Sequence, residues 1–564
     1  MIVTTSEQLK KCVEYLSDSE VVSFDTETTD LKYMGLELVG ISFYCSKDEA
    51  EDNDGWYVGI SESLPADIVC GAVKPLLQSR TNSLLAHNMK YDMMVMKKYG
   101  VTVEPPYHDT LIMAHLLDET RSNSLKALAK SELKKNNIET FVEVVPKGMS
   151  IWDVDVQKIG KYAIHDAKWT YEIYKKFKDE MFIEKQEKVY ERVELPLVPV
   201  LVDMETRGIS LDREYLSGME FRVELELDIL EKHIYKDVGY PFNLTSPQQV
   251  GKVLFDELKL PVIEKTATGR YSTSAFVLQQ LANKGYDIVK KLLRHRMLAK
   301  MLNTYIVGLP KCMDSDGRVR CSFNSTGAVT GRLSSNSPNL QNQPTDSEWR
   351  LRGAFVAEMD KTFIVADYSQ VELRIIAHLS QDPTMIRMFN SGGDIHQQTA
   401  DELKISRKEA KSANFAYAYG AWGEYRDRYF EHFPFIKKWH KKTEKFLNKF
   451  GFVRTMTGRK RRIGVTKGKP WNEINRMYRT GYNSTIQGSA ADLIKLAMIN
   501  VDRVLPKYDA ELLLTVHDEL VIEVPVDKAE VCKKAVHSEM VNCMKLDVPL
   551  EVDIKIANNW ADGK

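Results

Sequence analysis

The stretch Leu512-Leu-Leu-Thr-Val-His-Asp-Glu-Leu-Val-Ile-Glu-Val524 decides how the carboxy-terminal half of the chain is read. Two runs rich in Leu, Val and Ile have the composition and length of strands crossing a core. Between them lies His517-Asp518-Glu519, an imidazole and two acids where a tight turn belongs. Two-residue hairpin turns favour Asn-Gly or Asp-Gly because their central residues take positive φ. His-Asp contains no glycine, so this turn carries a backbone cost. Carboxylates at so costly a tip ask for a partner.

The partner is Thr362-Phe-Ile-Val-Ala-Asp367-Tyr-Ser-Gln370-Val-Glu372, an apolar strand that ends on an acid and gives way to helical pattern. A lone acid at a strand end is usually a cap or a turn former. Asp367 at one strand end and Asp518 at a hairpin tip could instead converge on two metal ions.

Between these two blocks runs Ile405-Ser-Arg407-Lys-Glu-Ala-Lys411-Ser-Ala-Asn-Phe415-Ala-Tyr-Ala-Tyr419-Gly420. Ser406 with Glu409 three residues later is a capping box, and Gly420 suits the position just past a helix end. Arg407, Lys411, Phe415 and Tyr419 recur every four residues, so helical geometry lines them along one gently spiralling stripe. Two cations followed by two aromatics suit a nucleoside triphosphate, with charge for the phosphates and rings for base and sugar. The alternative is a solvated basic face grading into core aromatics.

A second set of acids lies near the amino terminus. Val21-Val-Ser-Phe-Asp25-Thr-Glu27-Thr reads as a buried strand, and period two puts Asp25 and Glu27 on one face. Leu84-Leu-Ala-His-Asn88-Met-Lys-Tyr-Asp92 runs from a short strand into a helix, and Tyr162 and Asp166 at i, i+4 share a helical face. Four gathered carboxylates repel one another unless a cation sits among them, and hard oxygen ligands suit Mg²⁺ or Mn²⁺. Singly, each of these is more often a solvated strand or turn acid.

Composition bounds the rest. The chain has 564 residues, 43% hydrophobic and 28% charged, enough for several cores. A net charge of −1 shows no global basicity, although nucleic-acid binding depends on local clusters rather than on the sum. Seven scattered cysteines without a C-x-x-C pair argue against a zinc site or a disulfide framework and fit a reducing compartment. With no signal peptide and no apolar run of transmembrane length, a soluble cytoplasmic protein is expected. From about residue 185 to 310 the pattern is mostly helical, and Lys290, Lys291, Arg294, His295, Arg296 and Lys300 form a basic face that phosphates or plain solvent could meet. The basic run Gly458-Arg-Lys-Arg-Arg-Ile-Gly-Val-Thr-Lys-Gly-Lys469 reads either as a phosphate contact or as a flexible solvated loop.

In combination these motifs carry a resemblance. Asp25, Glu27, Asp92, Tyr162 and Asp166, in this order, resemble the DnaQ-like (RNase H-like) 3′→5′ proofreading exonucleases. The order Thr330-Gly-Arg332-Leu-Ser-Ser, Asp367-Tyr-Ser-Gln-Val-Glu, Arg407-x₃-Lys-x₃-Phe-x₃-Tyr-Gly, Gln487-Gly-Ser-Ala-Ala-Asp and Val516-His-Asp-Glu is similar to that of the family A, DNA polymerase I-like polymerases. The resemblance covers nearly the whole chain, with a Klenow-fragment-like layout of phage type.

It implies an α/β multidomain fold: an exonuclease domain over 1–185, then a right-hand polymerase domain over 186–564. The thumb would span about 205–312, the palm about 313–393 and 480–564, and the fingers about 394–479. Implied activities are template-directed DNA synthesis in replication and proofreading. Each site would use two Mg²⁺ ions, for which Mn²⁺ could substitute. Asp367 and Asp518 would ligate one pair, and Asp25, Glu27, Asp92 and Asp166 the other. Tyr162 would orient the attacking water, and Asn88 would steady the substrate end. Arg407, Lys411 and His396 would hold the triphosphate, with Lys411 donating a proton to the leaving group. Phe415 and Tyr419 would frame the nucleotide, beside Gln370 and Glu519, and Glu372 would clash with a ribose 2′-oxygen. Arg332, Asn339, Gln341, Arg479, Asn483, Gln487 and His517 would touch primer or template, largely in the minor groove, where the acceptor pattern is shared between base pairs.

Implied partners are primer-template DNA, deoxynucleoside triphosphates and replisome proteins such as a helicase and a single-strand binding protein. The enzyme would act as a monomer away from membranes, in the host cytoplasm if phage-encoded. Against the family pattern, no 5′-nuclease domain is expected, and the connection after Gly420 is short. Asn342-Gln-Pro344 is followed by Thr345-Asp346, where relatives often carry a basic residue. Other readings are an exonuclease with an inert carboxy-terminal half, a single-subunit RNA polymerase and a non-catalytic nucleic-acid scaffold. The intact acid sets and Glu372 speak against each.

Overall fold

A computed structural model describes residues 1–46, 55–345 and 348–564, so Asp346 lies outside the described residues. The chain divides into two compact units. One comprises Met1–Gly208, Cys321–Asn336 and Ile364–Ile556, the other Ile209–Arg320, Ser337–Phe363 and Ala557–Lys564.

The first unit contains two sheets. The amino-terminal one is built from β1 (Ile2–Val3), β2 (Val21–Thr28), β3 (Leu38–Tyr44), β4 (Trp56–Gly59), β5 (Ser83–Ala86) and β6 (Tyr107–Asp109). Its strand order is β1-β4-β3-β2-β5-β6, with β3 antiparallel to both neighbours and β2, β5 and β6 parallel. The alternating pattern of β2 holds: Val22 and Phe24 enter the core, while Asp25 and Glu27 stand opposite Ser42 and Gly40. The helix Met89–Lys98 starts directly after β5, and the long helix Val156–Ile183 packs on β2 and β3. Apolar side chains from both faces, Phe24, Ile41, Phe43, Val95 and Phe177 among them, close a dry core.

The second sheet is made of β7 (Lys361–Tyr368), β8 (Glu511–Val516), β9 (Glu519–Pro525) and β10 (Val552–Ala557), in the order β8-β9-β7-β10. β8 and β9 form the hairpin expected from their sequence, with Val516 opposite Glu519 and a two-residue turn between them. His517 takes φ +57°, so the cost read from its sequence is present in the backbone. Against this sheet lies the 34-residue helix Trp471–Val504, buried along most of its length.

The second unit is mainly helical, and Ile234, Leu254, Leu278, Val289 and Leu292 form its core. Most cations of its basic face are paired with acids of the same unit. Lys290 pairs with Asp287 at 2.9 Å, Lys291 with Asp237 at 2.6 Å, and Arg294 with Glu226 at 2.6 Å and Glu348 at 2.5 Å. His295 is buried against Glu231, and Arg296 donates to the Thr273 carbonyl. Asp287 shares the helix with Lys290, but the other acids come from other segments of the fold, which spacing alone could not show. Among the described residues, no helix is long and apolar enough to cross a membrane.

Candidate active sites

The amino-terminal acids come together. Asp92, buried in the first turn of its helix, accepts the backbone N–H of Thr26 at 3.0 Å and its hydroxyl at 2.7 Å, which fastens it between Asp25 and Glu27. Asp25 faces Asp92, Glu27 and Asp166; burial first, then these charges, raise it well above the ordinary carboxylate range. Burial, with Asp166 and Asp92 adding to it and Lys126 opposing, pushes Glu27 up to about 8. Burial likewise carries Asp92 up to about 7 against the hydrogen bonds from Thr26. Asp166 is raised by burial, while Lys126 and the Tyr162 hydroxyl draw it back.

Lys126 was not legible as a site residue. It sits in an ordinary helical Leu-Lys-Ala-Leu sequence, yet it pairs with Asp166 and lies 3.9 Å from the centre of the Tyr162 ring. A single ammonium among four carboxylates leaves them under-compensated, and that donor set, all oxygen and mutually repelling, fits divalent cations. Among the described residues no three acids already converge at ligating distance. Lys126 has drawn Asp166 to itself. Asn88 takes φ +80° at the entrance to the Met89–Lys98 helix, and Asp109 holds that turn by accepting its N–H at 3.1 Å and that of Met89 at 2.9 Å.

At the second sheet the two remaining acids are neighbours. Strands β9 and β7 are adjacent, and the Tyr368 N–H donates to the Asp518 carbonyl at 3.2 Å. Both Asp367 and Asp518 are partly exposed at this end of the sheet, whereas Glu519 is buried. Two carboxylates on hydrogen-bonded segments offer the oxygen ligands a hard cation takes.

The stripe on the helix Arg407–Ala418 is real and does not sink into the core. Arg407 and Lys411 are exposed, and Phe415 and Tyr419 half-buried, while Ala410, Ala413, Asn414 and Tyr417 form the buried face. The Ser406–Glu409 capping box is present, and Gly420 takes φ +81°. Arg407 is held by Asp394 at 2.8 Å. Asp394 also caps the helix Ile395–Leu403, which carries His396. Tyr419 donates its hydroxyl to Glu372, Arg332 pairs with Glu372 at 2.6 Å, and Gln487 hydrogen-bonds Tyr419. Arg332, Glu372, Tyr419 and Gln487, expected site residues from four separate motifs, thus form one linked group.

Gln370, at φ +53°, starts the helix Val371–Ser380 that carries Glu372. Arg479, Asn483 and Gln487, one helical stripe, remain accessible where Tyr482, Thr485 and Ile486 around them are buried. Asn339 and Gln341 belong to the other unit, where the Asn339 carboxamide accepts the Gln341 N–H at 3.0 Å and that of Asn342 at 3.1 Å.

In the basic run near 460, Arg459 to Arg462 are engaged by acids of the chain itself. Its strand Lys460–Arg462 pairs with Phe452–Arg454, and these cations meet acids from distant parts of the chain, while Lys467 is exposed in the segment that follows. Arg461 and Arg462 reach Glu119 at 2.8 and 3.1 Å, and Lys460 pairs with Glu184. Arg459 is buried against Glu194 and Asp492, and Lys495 completes the group at 2.6 Å from Glu194. Burial alone would raise Glu194, but Lys495 and Arg459 more than offset it and hold the carboxyl down to about 2.

Comparison with known proteins agrees with this geometry. Residues 213–562 match the model of DNA polymerase family A, and residues 1–182 match that of a 3′-5′ exonuclease. DNA polymerase I of Chloroflexus aurantiacus is 35% identical over 99% of the chain, and that of Pseudomonas aeruginosa 34% over 97%. The chain spans 63% and 64% of these curated relatives. A solved structure titled as the POL domain of Pol1 from M. smegmatis in complex with DNA primer-template and dNTP superposes with a TM-score of 0.88 at 28% identity. It covers all of this chain, which in turn covers 99% of it. The chain belongs to DNA polymerase family A, with a 3′-5′ exonuclease domain ahead of the polymerase domain.

Proposed function

We propose that the chain extends a primer on a DNA template with deoxynucleoside triphosphates and removes mispaired ends with its amino-terminal domain. The observation that carries this reading is the pairing of two separate acid sets in one chain. One lies on the adjoining strands of Asp367 and Asp518, the other around Asp25. On this reading residues 1–185 form the exonuclease domain and 186–564 the polymerase domain, with thumb, palm and fingers divided as the sequence motifs imply. Mg²⁺, or Mn²⁺ in its place, would be held two ions to a site by these carboxylates and would supply Lewis acidity for phosphoryl transfer.

The chain's own groups do the rest. Arg407 and Lys411, exposed on one stripe, and His396 bind the triphosphate, with Arg407 released from Asp394 as phosphate arrives. Lys411 gives a proton to the leaving group. The half-buried rings of Phe415 and Tyr419 frame base and sugar, and Glu372, fixed by Tyr419 and Arg332, bars a 2′-hydroxyl. Gln370 and Glu519 border this nucleotide site. Arg332, Asn339, Gln341, Arg479, Asn483, Gln487 and His517 meet primer and template. In the exonuclease domain Tyr162, hydrogen-bonded to Asp166, orients water, and Asn88 steadies the 3′ end.

The seven residues 419–425 between the helix Arg407–Ala418 and the helix Arg426–His432 favour a compact phage-type replicative enzyme. Such an enzyme would work as a monomer in the host cytoplasm with a helicase and a single-strand binding protein. Extension of a labelled primer, with and without a 3′ mismatch, tests the whole. Extension of the matched end and trimming of the mismatched end before extension are expected; failure of both would refute it.

A further inference from the structure

The helix Pro434–Phe450 carries six lysines, Lys437, Lys438, Lys441, Lys442, Lys445 and Lys449, and every one is exposed. At 3.6 residues per turn they fall within about 140° of its surface, opposite the buried Ile436, His440 and Leu447. Among the described residues none of the six forms an ion pair, whereas Arg459 and Arg461 meet acids of the chain itself. Lys437, Lys441, Lys445 and Lys449 repeat at i, i+4, a spacing at which like charges destabilise a helix. The one acid of this helix, Glu444, does not relieve them, because it accepts the Tyr482 hydroxyl at 2.5 Å on the inner side.

Phenylalanines border the lysines. Phe435, Phe446 and Phe450 follow one edge of the stripe, the last two 38% and 47% exposed with ring centres 4.6 Å apart. Lys438 stands 3.8 Å from the centre of the Phe435 ring, and Lys449 5.0 Å from that of Phe450. Cations beside exposed rings match a single strand, whose backbone takes the charge and whose unpaired bases take the rings. A duplex keeps its bases stacked inside, and an acidic peptide answers the charge but not the rings. The inner face of the helix fixes where such a strand runs. His440 donates from Nε2 to the carbonyl of Ala418, the last residue of the helix Arg407–Ala418, at 2.8 Å, and its ring stacks on Tyr482 at 3.9 Å. Tyr482 stands beside Asn483, in the helix whose Arg479, Asn483 and Gln487 are proposed to meet primer and template. The lysines thus cover the far side of a helix braced against both halves of the proposed polymerase site.

We propose that this face carries the single-stranded template on its way to the polymerase site, with phosphates on the lysines and bases against Phe446 and Phe450. The proposal rests on the reading of the chain as a template-directed polymerase. From Lys437 to Lys449 the helix rises about 18 Å, room for a few nucleotides beyond those held in the site. Ammonium groups that meet only backbone accept a strand of any sequence, as a template requires. The template is therefore gripped before it is copied, and the grip weakens with salt.

Fluorescence anisotropy of labelled primer-template tests this, with the full chain carrying Asp25→Ala and Glu27→Ala to spare the primer end. One template has an overhang too short to leave the polymerase site, the other an overhang long enough to cross the helix. This parent should bind the long overhang at least severalfold more tightly. Lys437→Gln with Lys441→Gln and Lys445→Gln should erase that gain and keep the short-overhang affinity, which also shows that the variant is folded. The same variant should flatten the salt dependence on the long overhang by about 2 in log–log slope, three single-strand phosphates at roughly 0.7 each. Phe446→Leu with Phe450→Leu should lower the gain without changing the slope. A gain that survives the triple variant overturns the proposal and leaves a solvated face. Equal losses on both overhangs overturn it in favour of a duplex contact, and a loss that needs a displaced 5′ flap overturns it in favour of the non-template strand. Labelled oligoglutamate that loses its binding in the triple variant while the overhang gain persists overturns it in favour of an acidic protein partner. A parent that binds neither template overturns the polymerase reading itself.

Discussion

The backbone N–H of Tyr368 donates to the carbonyl oxygen of Asp518 at 3.2 Å, so the strand ending on Asp367 is hydrogen-bonded to the turn that carries the other acid. Asp367 and Asp518, 151 positions apart in the numbering, are therefore held as neighbours by main chain and not by flexible side chains. Either carboxylate alone should be insufficient. Asp367→Ala or Asp518→Ala should lower primer extension by a thousandfold or more, roughly 4 kcal/mol of transition-state stabilisation, and leave 3′→5′ degradation intact. Asp25→Ala with Glu27→Ala should do the reverse. Extension that survives Asp518→Ala would remove the acid pair from the chemistry.

Sugar selection should follow Glu372, which Tyr419 and Arg332 hold in place. Glu372→Ala should admit ribonucleotides more readily by removing the block. Phe415→Tyr should improve the use of dideoxynucleotides, because a hydroxyl there can replace the hydrogen bond of the missing 3′-oxygen, worth about 1 kcal/mol. Competition assays against the natural substrate measure both. No change in dideoxynucleotide discrimination would displace Phe415 from the sugar.

The motifs that place acids on strands and cations on one helical stripe were legible because periodicity fixes which side chains share a face. Asp25 with Glu27, and Arg407 with Lys411, Phe415 and Tyr419, needed nothing more. Lys126 and Glu119 were not legible, since each acts across a gap that only tertiary packing closes. Lys126 meets Asp166 forty residues away, and Glu119 meets Arg461 more than three hundred residues away. The internal partners of the basic run stayed hidden for the same reason: local charge density shows a demand for anions but not whether the chain itself supplies them.

The exonuclease acids should make stability pH-dependent. Burial and mutual repulsion raise Asp25, Glu27 and Asp92, with Glu27 near 8 and Asp92 near 7. The folded state therefore keeps protons that the unfolded chain has already lost at pH 5–7, and stability falls as pH rises through that window. In chelator, the melting temperature should drop between about pH 5 and pH 8 more steeply for the parent than for Asp25→Asn with Glu27→Gln. Added Mg²⁺ should restore the parent more at the alkaline end than at the acidic end. A parent and variant with parallel melting curves would show that the acids do not repel one another as the structure indicates.

The buried group of Glu194, Arg459, Asp492 and Lys495 should be intolerant of single deletions. Arg459→Ala strands Glu194 and Asp492 away from water with less compensation, which costs about 3–5 kcal/mol for a buried pair. Arg461→Ala, whose partner Glu119 keeps Arg462, should cost far less. Chemical denaturation of both variants distinguishes the two, and equal losses would mean that the buried group contributes no more than the outer one.

Strand displacement should be weak, and Trp422 should supply much of what there is. Its side chain is 70% exposed, with the Arg426 guanidinium 4.3 Å from the ring centre. A ring left in water and braced by a cation is a stacking surface, and stacking on an unpaired base is worth ~1–3 kcal/mol. Only residues 419–425 separate the helix Arg407–Ala418 from the helix Arg426–His432, so on the proposed reading little other surface is present there to part template from its complement. Opening a base-pair step costs roughly 1.4 kcal/mol on average, within the range that one stacking contact can offset. An exonuclease-deficient form should therefore extend quickly across a gap, slow at its end, and slow further there in Trp422→Ala while its rate within the gap stays the same. Equal rates on gapped and nicked templates would sink the first claim. A Trp422→Ala defect of the same size on both would sink the second, because it would tie the residue to synthesis itself.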